Sequence, residues 1–76
     1  MNTDYNSYFH GLLFNVMGEW APIVNNSRTS AETIEGFASE LLFHNTSAVN
    51  LGAHDAARKI RQQWASLRGE AMRRAA

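Results

Sequence analysis

The 76-residue chain has no cysteine and one proline, Pro22. Without thiols there is no disulfide to staple a small fold and no thiolate metal site. The histidines His10, His44 and His54 never stand three or four residues apart, and HExxH is absent, so no metal is expected. P-loops, GxSxG elbows and Gly-rich dinucleotide turns are missing as well. Serines and acids occur as in any chain. A domain this short, however, has little room to enclose a ligand pocket of roughly several hundred cubic ångström. The expectation is a non-enzymatic protein with no cofactor and no small-molecule substrate.

Long apolar runs are also missing. The densest, Leu12 to Met17, is far short of the ~20 residues of a membrane span. The first nine residues contain no Lys or Arg and do not read as a secretory signal, so the expected compartment is the cytoplasm, with no membrane contact. No alternating β-branched run and no Asn-Gly or Asp-Gly turn marks a strand.

What remains is helical periodicity and aromatic residues. Tyr5, Tyr8, Phe9, Phe14, Trp20, Phe37, Phe43 and Trp64 are too many for a disordered chain. Tyr5, Phe9, Leu12, Val16 and Trp20 recur at helical spacing, predicting a first helix over about 4–21, capped by Asn2, Thr3 or Asp4. Pro22 is expected to end or kink it, with Ile23 and Val24 able to add a turn. Gly11 and Gly18 lie seven residues apart on one side, each costing about 1 kcal/mol of helix propensity relative to Ala.

Thr29-Ser30-Ala31-Glu32 reads as a capping box opening a second helix over about 30–44, with Ile34, Phe37, Ala38, Leu41 and Leu42 inward. His44-Asn45-Thr46-Ser47 breaks the pattern, leaving a short fourth helical turn as an option near 46–52. A third helix is expected over about 53–74. Ala57, Ile60, Trp64, Leu67 and Ala71 form its buried stripe, Asp55 or His54 its cap, and Arg73 to Ala76 a frayed end. Short connectors make successive helices antiparallel. The fold class is a single all-α domain, a small three-helix antiparallel bundle.

Formal charge is zero overall but segregated. Residues 1–54 hold five acidic residues against Arg28, a net of −4, and residues 55–76 carry a net of +4. Arg58, Lys59, Arg61 and Arg68 are the candidates for a polyanion or an acidic surface. They would meet phosphates if the partner were nucleic acid, with Gln62 or Gln63 reaching base edges. The simpler arrangement sets the basic helix beside the acidic ones.

The stretch His44 to His54 loosely resembles the histidine-phosphotransfer motif, in which a helical His is followed by Lys-Gly and then a Leu-Gly step. Ser47 and Ala48 occupy the Lys-Gly positions here, and the chain is too short for that family's four-helix bundle, so phosphotransfer is not expected.

A chain of this size buries only about 60 to 65 per cent of its unfolded surface. Tyr5, Tyr8, Phe14, Trp20, Phe43 and Trp64 therefore compete for limited core space. Tyr8, Phe14 and Phe43 lie off the main stripes and are the candidate contacts for a protein partner, since aromatic residues are enriched at binding hot spots. The expected function is that of a protein-binding regulator, inhibitor or adaptor of the kind bacteria and phages encode. A homodimer pairing the acidic part of one copy with the basic helix of the other is a further option, and a small nucleic-acid-binding regulator is the alternative.

Overall fold

In the computed structural model, which describes residues 4–76, three helices follow one another: α1 (Tyr5–Val24), α2 (Ala31–Asn50) and α3 (His54–Ala75). They form the three-helix bundle, a rod with extents of 47 × 18 × 14 Å. The α2–α3 hairpin is its tightest part, and α1 lies against the hairpin more loosely.

Residue size explains that asymmetry. Ala38 and Ala48 on α2, Ala53 before α3, and Ala56, Ala57 and Ala71 on α3 are all buried. Side chains this small let helix axes approach the short end of the usual ~8–10 Å separation. Ile34, Leu41 and Ile60 are the largest fully buried side chains of the core. α1 instead inserts Phe9 and Trp20, with Leu12, Leu13 and Val16 partly buried beside them. The Trp20 indole stacks on Phe37 of α2 at a centroid distance of 4.6 Å. Bulky wedges hold α1 further out than alanines would.

Asp4 is the cap of α1, accepting from the Ser7 amide at 3.1 Å and the Ser7 hydroxyl at 2.7 Å. The alternative caps Asn2 and Thr3 lie outside the described residues. α1 runs three residues past its expected end, through Pro22. A proline inside a helix removes the bond to the carbonyl four residues back and crowds that carbonyl with its ring. That carbonyl belongs to Gly18, which is exposed, so water can replace the missing donor.

α2 corrects two expectations. Its cap is Ser30, one residue after the expected Thr29, and it accepts from the Thr33 amide at 3.2 Å, with no reciprocal bond from Glu32 among the described residues. Thr29 instead donates its hydroxyl to the Ile23 carbonyl, tying the connector to the end of α1. The helix also continues through His44 to Ser47, so there is no separate fourth turn. The Thr46 hydroxyl donates back to Leu42 O, the Asn45 side chain accepts from Arg61, and Ala48 is fully buried. Packing of Ala48 outweighs the weak helix propensity of the residues before it. The end comes at Gly52, where φ is +77°. Ala53 N–H reaches Ala48 O and Gly52 N–H reaches Val49 O, the paired bonds of a Schellman cap.

Two side chains tie α1 to α3 at opposite ends of the rod. No side chain from its own flank caps α3. Asn6 of α1 does so, its Oδ1 accepting from the Ala56 amide at 3.1 Å. At the other end α1 has no basic residue in its last turn. Arg74 of α3 supplies the charge, donating to Val24 O, to Asn26 O at 2.7 Å and to Thr29 O at 3.0 Å. Glu70 orients the guanidinium from below, accepting from Arg74 Nε at 3.0 Å. The last turn of α3 is therefore anchored, not frayed. Trp64 is a further correction: it sits partly buried at the core's edge, and the buried tryptophan is Trp20.

The Asn6 contact gives a direct test. Asn6→Ala leaves an α3 amide uncapped and is expected to lower stability by about 1 kcal/mol. Asn6→Asp keeps the acceptor and adds negative charge at the positive end of α3, so its stability should match or exceed wild type in thermal unfolding.

Two carboxylates make the fold acid-sensitive. The Ser7 hydroxyl and then its amide hold the Asp4 carboxyl below its ordinary 3.8. Arg73, then Arg74, hold Glu70 below its ordinary 4.5. Depressed folded values mean stability present above those ordinary values and lost as pH falls through the folded ones. The thermal midpoint should drop between about pH 5 and pH 2, and Asp4→Asn with Glu70→Gln should flatten that drop.

Candidate interaction surface

The described residues enclose no pocket and bring no three potential metal ligands together. No helix is long and apolar enough to cross a membrane. The chemistry on offer is that of an outer surface.

Phe14 is 81 per cent exposed, Phe43 69 per cent and Tyr8 61 per cent. Six residues separate Tyr8 from Phe14, which turns them about 120° apart around α1. Tyr8 stands edge-to-face against buried Phe9, with centroids 5.0 Å apart. Phe43 projects from the outer side of α2, its ring edge-on to His44 at 5.8 Å. The three aromatics thus occupy separate positions on two helices and do not converge.

The basic candidates are mostly engaged. Arg58 pairs with Asp55 at 2.8 Å on its own helix. Arg61 donates to Asn45 at 3.0 Å, and Arg68 pairs with Glu35 at 3.3 Å, both across the α2–α3 seam. Lys59 is exposed and has no ion-pair partner among the described residues. Arg58, Arg61 and Arg68 fall within one third of the α3 circumference, and Lys59 lies off that stripe. All of these pairs are solvent-exposed, where an ion pair contributes at most about 1 kcal/mol.

The seam also carries residues outside the candidate set. Leu42 and Val49, both exposed, follow Glu35 at seven-residue intervals and so share its side of α2. Partly buried Trp64 lies between Arg61 and Arg68 on α3. Together they make an apolar strip framed by Arg61, Arg68 and Glu35. Sequence spacing reads Leu42 as inward because it neighbours Leu41. The structure instead leaves it exposed, turned about 100° around α2 from fully buried Leu41. Among the described residues, Tyr5, Ile23, Leu51 and Met72 complete the set of exposed large apolar side chains.

The chain exposes 5127 Å² in all. A folded monomer of 8.5 kDa is expected to expose about 4,650 Å². No known protein family, curated protein or solved structure matches the chain.

Proposed function

We propose that this chain is a small non-enzymatic module that binds a protein partner and acts as a regulator, inhibitor or adaptor. One observation carries the reading: the aromatic side chains of Tyr8, Phe14 and Phe43 remain 61 to 81 per cent exposed. Burying a large apolar side chain is worth about 1.5–3 kcal/mol. Three such side chains held in water are therefore a reserve for binding. Aromatic residues are among the types enriched at binding hot spots.

The competing reading is nucleic-acid binding through Arg58, Lys59, Arg61 and Arg68. It is favoured by the shared stripe of the three arginines and disfavoured by their acidic and amide partners and the zero net charge. Affinity capture from native lysate, split between nuclease-treated and untreated halves, separates the two. A protein partner is expected to survive nuclease and to remain bound when salt rises from about 50 to 200 mM. Binding through six or more phosphates should weaken about a thousandfold or more over that range. Loss of all bound material with nuclease overturns the proposal.

A further inference from the structure

We infer that the face of the α2–α3 hairpin turned away from α1 is a self-association surface. Its occupant is the same face of a second copy, related by a two-fold axis running along the rod. The inference rests on the reading that exposed apolar surface of this chain binds protein, and it names the occupant of one face.

A helical hairpin has two broad faces. α1 covers one, with Trp20 stacked on Phe37 and its last turn held by Arg74. Leu42 is turned about 140° around α2 from Phe37 and lies on the other. There Leu42, Val49, Ala65 and Met72 are exposed, and Trp64 is only partly buried. The Arg61–Asn45 and Arg68–Glu35 contacts cross this face and fix which residues stand level. Trp64 is level with Leu42, and Met72 with Ala31. In a four-helix bundle such an apolar strip faces the interior.

Charge complementarity selects the occupant. α2 holds three Glu and no Lys or Arg, a net of −3. α3 holds six Lys and Arg against Asp55 and Glu70, a net of +4. Turned over about an axis along the rod, a second copy lays its basic α3 antiparallel on the acidic α2, and its α2 on α3. Its Arg68 then faces Glu35 and its Glu35 faces Arg68, so four charges alternate in sign around a square. Its Trp64 meets Leu42, and its Leu42 meets Trp64, as an isologous contact requires. Arg61 faces the other copy's Asn45, the uncharged acceptor it already uses within the chain. The other face-to-face two-fold, across the rod, sets α2 on α2, α3 on α3 and Arg61 against Arg68. Like charge disfavours it.

Sedimentation velocity of the intact chain from about 1 μM to 1 mM tests this. Wild type is expected to pass from monomer to dimer. Leu42→Lys and Arg68→Glu, each first matched to wild type by circular dichroism, should raise the dimer dissociation constant about tenfold or more. Adding Glu35→Arg to Arg68→Glu restores the alternation and should recover most of that loss. Glu40→Arg, on the other side of α2 from Leu42, should leave dimerisation intact. A wild type monomeric throughout, a dimer indifferent to Leu42→Lys, or one tightened by Arg68→Glu overturns the inference. A monomer that still captures a nuclease-resistant protein partner overturns the inference alone and leaves the broader reading standing.

Discussion

Leu41→Ala is expected to lower the stability of this domain by about 2–5 kcal/mol. Leu41 is fully buried. It sits on the inward stripe of α2 with Ile34, Ala38 and Ala48, and a truncated side chain there leaves a hole that tightly packed neighbours cannot fill. At roughly 0.05–0.15 kcal/mol per residue, a chain of this length has only about 4–11 kcal/mol in total. The variant should therefore be largely unfolded at modest urea, or partly unfolded in water. Phe43→Ala provides the contrast. It removes a larger side chain two residues away, but one that is mostly in solvent, so its unfolding free energy from urea titration should change by no more than about 0.5 kcal/mol. If the two variants behaved alike, the assignment of inward and outward faces on α2 would be wrong.

Arg74→Ala is the second large effect. The Arg74 side chain is 17 per cent exposed and bonds three backbone carbonyls of the α1 end and the α1–α2 connector. Hydrogen bonds involving a charged group contribute about 1.5–3 kcal/mol each when the geometry is good. Water can reach part of this connector and recover some of the loss, so a net cost of about 2–3 kcal/mol is expected. Arg74→Lys should recover little of it, because an ammonium lacks the planar fork that reaches separated carbonyls. Arg73 is the internal control: its side chain is 69 per cent exposed and pairs only with Glu70. Arg73→Ala should fall within about 0.5 kcal/mol of wild type. Hydrogen exchange would locate the effect, with α1 amides losing protection before those of the hairpin.

These two residues show where a linear reading succeeds and where it stops. Ile34, Leu41, Ile60 and Leu67 announce their burial through 3-and-4 spacing, because a helix's inward stripe is a local property of the chain. Tyr8, Phe14 and Phe43 are legible as outward for the same reason, though their exposure alone assigns them no partner. Arg74 is different. Its acceptors lie 45 to 50 residues away, and only the folded position of the connector makes them acceptors. In sequence it reads as one more charge at a loose end. Asn6 capping α3 is hidden in the same way. The continuation of α2 through Asn45 and Thr46 depends on Ala48 reaching α3, a tertiary gain that outweighs local propensity. Trp64 misleads for a steric reason: alanines bring α2 and α3 so close that an indole must stay at the rim.

The account turns on whether exposed aromatic surface is used to bind protein. The most direct measurement is calorimetric titration of the captured partner into wild type and into Phe43→Asp, the variant first matched to wild type by circular dichroism. Wild type should bind with a negative heat-capacity change, the mark of apolar burial. The variant should lose about thirtyfold or more in affinity. Equal affinities, with a heat-capacity change near zero and binding that collapses as salt rises, would contradict the account and move the working surface to Arg58, Lys59, Arg61 and Arg68.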